Sequence, residues 1–174
     1  MRDIYISPIK AVLHRLDDPV LDFILCTSED YLSKPLPSNV LRLDFRDTVD
    51  PNDPAAFSAQ LAADVASFLQ RPDARPELFV CCDCGVSRSA ALAAAIRCAD
   101  GDSDFPIWDD PNYMPNPLVY RLMRRVLDVP ITEDALNARL ALNAAARRKA
   151  FSRNVTQTGA VEAKMPNRYR ESQT

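Results

Sequence analysis

Leu78-Phe79-Val80-Cys81-Cys82-Asp83-Cys84-Gly85-Val86-Ser87-Arg88-Ser89, running into the alanine-rich stretch Ala90 to Ala99, is the passage that decides the fold. Leu78 to Cys81 is a short apolar run of buried-strand type, and Ala90 to Ala99 is made of strong helix formers. Between them lies a loop. A strand-loop-helix turn aims successive backbone N–H groups and a helix N-terminus at one spot, which suits a dianionic phosphoryl group. The same positive field draws a thiol at the loop's start from about 8.5 into the range of roughly 3.5–7.5 found for activated cysteines. Cys82 therefore reads as a thiolate nucleophile. Arg88 reads as a planar fork for two phosphoryl oxygens, and the N–H groups of Asp83, Cys84, Gly85, Val86, Ser87 and Arg88 read as the phosphate-binding set. A cysteine that merely ends a core strand is ordinary, and Cys81 fits that description. It does not explain Gly85, one of only three glycines in the chain, in a turn where backbone is expected to approach a ligand closely.

Working outward, Ile4 to Ile6 reads as a first strand. Ser7-Pro8 reads as the cap and first residue of a helix over Ile9 to Leu16, with Ile9, Val12, Leu13 and Leu16 on one face. Phe23 to Cys26 and Val40 to Phe45 read as further strands, the latter alternating apolar and polar. Asp53-Pro54 is expected to cap a helix to about Gln70, in which Phe57, Leu61, Val65 and Phe68 recur at helical spacing. Residues 71–76 are a turn and 100–116 a long loop, in which Trp108 and Tyr113 are read as core plugs or, alternatively, as a substrate-facing rim. Asn116-Pro117 restarts a helix, and Thr132 caps a last one to about Ala150. The expected fold is α/β: a central, mostly parallel sheet of about four to five strands flanked by helices, with the phosphate loop at the C-terminal end of a central strand. Residues 1–150 form the expected domain, and 151–174 a polar, disordered tail.

The chain has 174 residues, 47% hydrophobic and 26% charged, a length suited to one domain with a sizeable core. Its formal net charge of −3 argues against nucleic acid or an anionic membrane as partner. No apolar run approaches the roughly 20 residues of a membrane span, and Met1-Arg2-Asp3 leads into a strand without the apolar core of a signal peptide. Five cysteines, three of them within Cys81 to Cys84, resemble neither a disulfide framework nor a zinc set, so a reducing, cytoplasmic compartment is expected. His14 is the sole histidine, which leaves a Cys-His peptidase pair nowhere else to form. Asp100, Asp102 and Asp104 start like a calcium loop, but its sixth position is Phe105 and its twelfth Pro111.

The cysteine, the arginine six positions on, the intervening Gly85 and the following Ser89 resemble the signature of the cysteine-dependent protein phosphatases, and in particular the compact dual-specificity type. The resemblance covers roughly residues 1–130. It departs from that family at Cys81, where a histidine usually stands. It implies a phosphomonoester hydrolase, a protein-tyrosine or dual-specificity phosphatase working as a monomer through a phosphocysteine, with no metal or other cofactor. A phosphorylated protein or another phosphomonoester would be its partner. It further implies that Ser89 donates to the cysteine sulfur, and that a general acid lies on a loop some thirty-odd residues before the nucleophile. Asp47 stands there. Asp44 is the nearest competitor, but it falls within the expected strand. A non-catalytic phosphate-binding module, a phosphatase of a phosphoinositide or an RNA 5′ phosphate, and sulfur or arsenate chemistry with Cys84 as second thiol are the alternative readings.

Overall fold

The computed structural model describes residues 2–27 and 35–162, excepting the side chains of 154–162. Four strands, all parallel, form one sheet in the order β1 (Asp3–Pro8), β4 (Glu77–Cys82), β2 (Leu21–Cys26), β3 (Val40–Leu43). This is the expected α/β architecture. Strand β2 is buried at all six positions, as an interior parallel strand covered on both faces should be. Ile24 and Cys26 join one core, and Leu21, Phe23 and Leu25 the other. The two-residue period divides β4 in the same way: Leu78, Val80 and Cys82 face the first core, while Phe79 and Cys81 face the second.

The first core is covered by α2 (Ala59–Gln70), α3 (Arg88–Ala99), α5 (Pro117–Val126) and part of α6 (Glu133–Glu162). The second is covered by α1 (Ile9–Val12) and a 3₁₀ turn at Leu13–Arg15. Helix α3 is buried from Arg88 through Ile96. Its small alanines let it lie against the sheet on one side and α5 on the other, the place for a helix without a polar face. Trp108, on the short α4 (Phe105–Trp108), is fully buried and meets Tyr120 edge-on, with ring centroids 5.1 Å apart. Such a pair adds about 0.5–1.5 kcal/mol beyond its buried area. Trp108 is thus a core plug, and Tyr113 packs partly buried against the same core.

Several elements differ from the sequence-based expectation. Ser7 and Pro8 do not cap α1; they extend β1 by pairing with Cys81 and Cys82, and Pro8 is tolerated because β1 is an edge strand. Helix α1 starts at Ile9 as expected but is only four residues long, since the chain tightens into the 3₁₀ turn at Leu13. Strand β3 stops at Leu43, where Thr27 N–H makes the last bond to it at 3.0 Å, so Asp44 lies beyond the strand and is exposed. Asp53 does not cap α2: its carboxylate accepts from Ala55 N–H and pairs with Arg46, and the helix starts six residues later under Ser58. Phe57 precedes that helix, buried against Phe45 with ring centroids 4.8 Å apart. The stretch 100–116 contains α4 and is not one continuous loop. Helix α6 continues to Glu162, since neither Gly nor Pro interrupts 133–158, so the expected disordered tail is helical over 151–162. The rest of that tail, 163–174, lies outside the described residues. Among the described residues no helix is long and apolar enough to cross a membrane.

Candidate active site

Strand β4 ends at Cys82, α3 begins at Arg88, and residues 83–87 connect them. Gly85 holds φ +69°, the left-handed region. A Cβ there would stand 2.7 Å from Pro8 N and 2.8 Å from the Ser7 carbonyl carbon. The close approach that demands glycine here is to the end of β1. The turn is closed by Gly85 N–H on the Cys82 carbonyl at 3.3 Å and strapped from outside by Met114 N–H on the Val86 carbonyl at 3.0 Å.

Inside this turn the Cys82 Sγ lies 3.1 Å from the Ser89 hydroxyl. The residue is 2% exposed, so it forms the floor of the loop. Burial alone would push its pKa up. The Ser89 hydroxyl and the backbone N–H groups of Ser89, Ser87 and Val86 outweigh that and hold the thiol below its ordinary value. Cys81, on the opposite face, has no such donors, and burial together with the neighbouring Cys82 charge pushes it up to about 12. Cys26 is also pushed well up by burial, and Cys84 is exposed at the rim.

Arg88 is 6% exposed. Its Nη1 donates to the Phe45 carbonyl at 3.0 Å, its Nη2 pairs with the Asp83 carboxylate, and its Nε has no hydrogen-bond partner among the described residues. An unpartnered donor on a buried guanidinium is costly unless something else meets it. Phe45 is itself buried, continuing the inward alternation of Leu43 past the end of β3, and so fixes the carbonyl that Arg88 uses.

Asp47 approaches the loop from the β3–α2 connection. Its Oδ1 accepts from the Ser87 hydroxyl at 3.0 Å and from Asn116 Nδ2 at 2.8 Å, and its charge is felt at Arg88. Asn116 also donates to the Thr48 carbonyl at 3.0 Å, while its Oδ1 caps α5 through Leu118 and Val119 N–H. The structure thus brings Cys82, Arg88, Ser89 and Asp47 together with residues 83–87. Asn116, legible in the sequence only as a cap, and the side chain of Asp83, read there only for its N–H, were missed. A cap and a loop N–H are local readings, and their second partners lie 69 and five residues away.

Compared with known proteins, the sequence matches no family model and no curated relative. The chemistry of the site therefore rests on its geometry. A thiol held below its ordinary pKa sits under converging N–H donors, beside a guanidinium with an open Nε and across from a tethered carboxylate. That arrangement can bind a tetrahedral oxyanion, attack it and exchange a proton with a leaving group.

Proposed function

We propose that the protein is a phosphomonoester hydrolase, a protein-tyrosine or dual-specificity phosphatase acting through a phosphocysteine. The observation that carries this reading is the thiol of Cys82, lowered by Ser89 and the loop N–H groups, next to the buried Arg88 whose Nε has no partner among the described residues. The Cys82 thiolate attacks phosphorus and the P–O bond to the leaving group breaks. Asp47 supplies the proton that the departing oxygen needs. Its hydrogen bonds from Ser87 and Asn116 fall on Oδ1, so Oδ2 is the oxygen that carries this proton. Water then attacks the thiophosphate, giving its proton to the Asp47 carboxylate, and the thiolate leaves with the Ser89 hydroxyl donating to sulfur. Arg88 and the N–H groups of residues 83–88 meet the charge that grows on the equatorial oxygens. Five free thiols support a cytoplasmic setting for this chemistry.

The test is turnover of an aryl phosphate by the wild type and by Cys82→Ser. The wild type should turn over and accumulate a labelled phosphocysteine on rapid acid quench, while the variant should be inactive yet still bind vanadate. Equal activity in the two would remove the covalent mechanism, and no turnover by the wild type would leave only phosphate binding.

A further inference from the structure

The carboxylate of Asp83 is an unexpected group to find against a phosphate-binding fork, since it opposes the charge of the ligand that the fork would hold. Its surroundings account for it. Thr27 follows the end of β2 and Asp83 the end of β4, adjacent strands whose last residues, Cys26 and Cys82, are register partners. The fully buried Thr27 donates its hydroxyl to Asp83 Oδ1 at 2.9 Å, and Asp83 Oδ2 takes Nη2 of Arg88. From another direction the Phe45 carbonyl takes Nη1 at 3.0 Å. Two anchors on different nitrogens fix both the position and the rotation of the guanidinium plane. A guanidinium has five N–H donors. The anchors leave three of these for a tetrahedral anion: the Nε–H, unpartnered among the described residues in its buried setting, and the second hydrogen of each Nη.

We propose that Asp83, held by Thr27, is the positioning residue that presents the Nε edge of Arg88 to the phosphoryl group. This rests on the hydrolase reading above. A free arginine side chain carries substantial rotamer entropy, and here much of it is given up before any substrate arrives. The Asp83 carboxylate gains its effect through Arg88 and does not itself touch the substrate, whereas the backbone N–H of the same residue belongs to the phosphate-binding loop.

The decisive measurement is a double-mutant cycle of Asp83→Ala with Arg88→Lys, which keeps a charge but not the fork. It is read by kcat and KM on an aryl phosphate and by calorimetric binding of inorganic phosphate. In the wild-type background Asp83→Ala should lower kcat on the order of 10-fold, as misplacement of a positioned group does. In the Arg88→Lys background it should change kcat less than about two-fold, because there is no plane left to orient. Asp83→Asn, which keeps an acceptor oxygen, should recover part of the loss and serves if the alanine variant fails to fold. Thr27→Val should act in the same direction and Thr27→Ser should restore activity. The ultraviolet thiolate titration of Cys82 should not move upward in any Asp83 variant, since removing a negative charge does not make a thiolate harder to form. Equal losses in both backgrounds, or tighter phosphate binding with undiminished kcat in Asp83→Ala, would overturn the proposal. Should the wild type turn over no aryl phosphate, the hydrolase reading falls, and coupling in phosphate affinity alone then decides: a non-additive cycle upholds the positioning, an additive one ends it.

Discussion

Cys81 and Cys82 are neighbours of one residue type whose thiols are driven in opposite directions, one up to about 12 and the other below its ordinary value. The whole difference lies in which face of β4 each occupies. Cys82 faces the loop N–H groups and Ser89; Cys81 faces an apolar core. Because the Cys82 pKa is lowered, its thiolate persists as pH falls and disappears only as pH passes down through that lowered value. Ser89→Ala removes one of the lowering hydrogen bonds, so the acidic limb of kcat/KM should move to higher pH, tracked by ultraviolet thiolate absorbance. The same variant should lower kcat by about 10- to 100-fold, the worth of a hydrogen bond to a charged group, and accumulate phosphocysteine, because the departing sulfur has lost its donor. A kcat loss without phosphocysteine build-up would place the role of Ser89 in the first step. For Asp47, replacement by Asn should slow alkyl phosphates far more than activated aryl phosphates, by roughly 10²-fold or more. Asn116→Ala should show the same graded pattern at reduced size, since Asn116 holds Oδ1 and touches no substrate. A uniform loss across leaving groups would remove Asp47 from the proton transfer.

At the scale of elements, the parallel register of β2 and β4 sets Cys26 beside Cys82 on the same face. Adjacent strands lie about 4.8 Å apart, within the Cα separations of roughly 4.4–6.8 Å that a disulfide spans. Cys84, the other nearby thiol, is exposed on the loop. Hydrogen peroxide should oxidise the Cys82 thiolate to a sulfenic acid, with the peroxide reduced to water, and the Cys26 thiol should then displace water from that sulfur to form a disulfide. Activity should return with dithiothreitol. Peptide mapping should find the Cys26–Cys82 link, and Cys26→Ser should convert reversible into irreversible loss while Cys84→Ser changes nothing. A Cys82–Cys84 link would overturn the assignment. The loop itself is held as an element by the φ of Gly85, by Pro8 behind it and by the 114–116 strap in front.

Across the whole molecule, the helices that back the site are joined by one buried polar cluster. Asp104, 2% exposed, accepts from Arg139 of α6 at 3.0 Å and from the Tyr120 hydroxyl of α5, and Arg124 bridges Tyr120 at 2.8 Å to Cys98 of α3 at 3.1 Å. Burial raises the pKa of Asp104, but the bonds from Arg139 and Tyr120 outweigh it and leave the carboxyl below its ordinary value. A depressed carboxyl stabilises the fold above its unfolded pKa of about 3.9, and that contribution is lost as pH falls through the lower folded value. Asp104→Ala should cost about 2–3 kcal/mol in urea unfolding at neutral pH, the lower end for breaking a buried pair because Arg139 is partly exposed. The variant's stability should also fall less than that of the wild type on acidification. An unchanged urea midpoint would show that the Asp104–Arg139 pair does not hold α6 in place. Helix α6 also braces the site: Asn143 donates to the Trp108 and Tyr113 carbonyls at 3.0 and 3.1 Å, closing the stretch that straps the loop.

Local rules were enough to read β4, α3, the loop between them and the alternation that separates Cys81 from Cys82, because strand period and helix propensity act within a few residues. Asp47 was reachable through the family resemblance, which implies an acid on a loop some thirty-odd residues before the cysteine. What decided the rest was distance in sequence. The end of β3 depends on where β2 stops. Gly85 answers to Pro8, Asn116 to Asp47, and Asp83 to Thr27. Each is a polar or steric match between segments that only the folded sheet and its helices bring within bonding reach, and a hydrogen bond's short range leaves no trace of its partner in the sequence around either member.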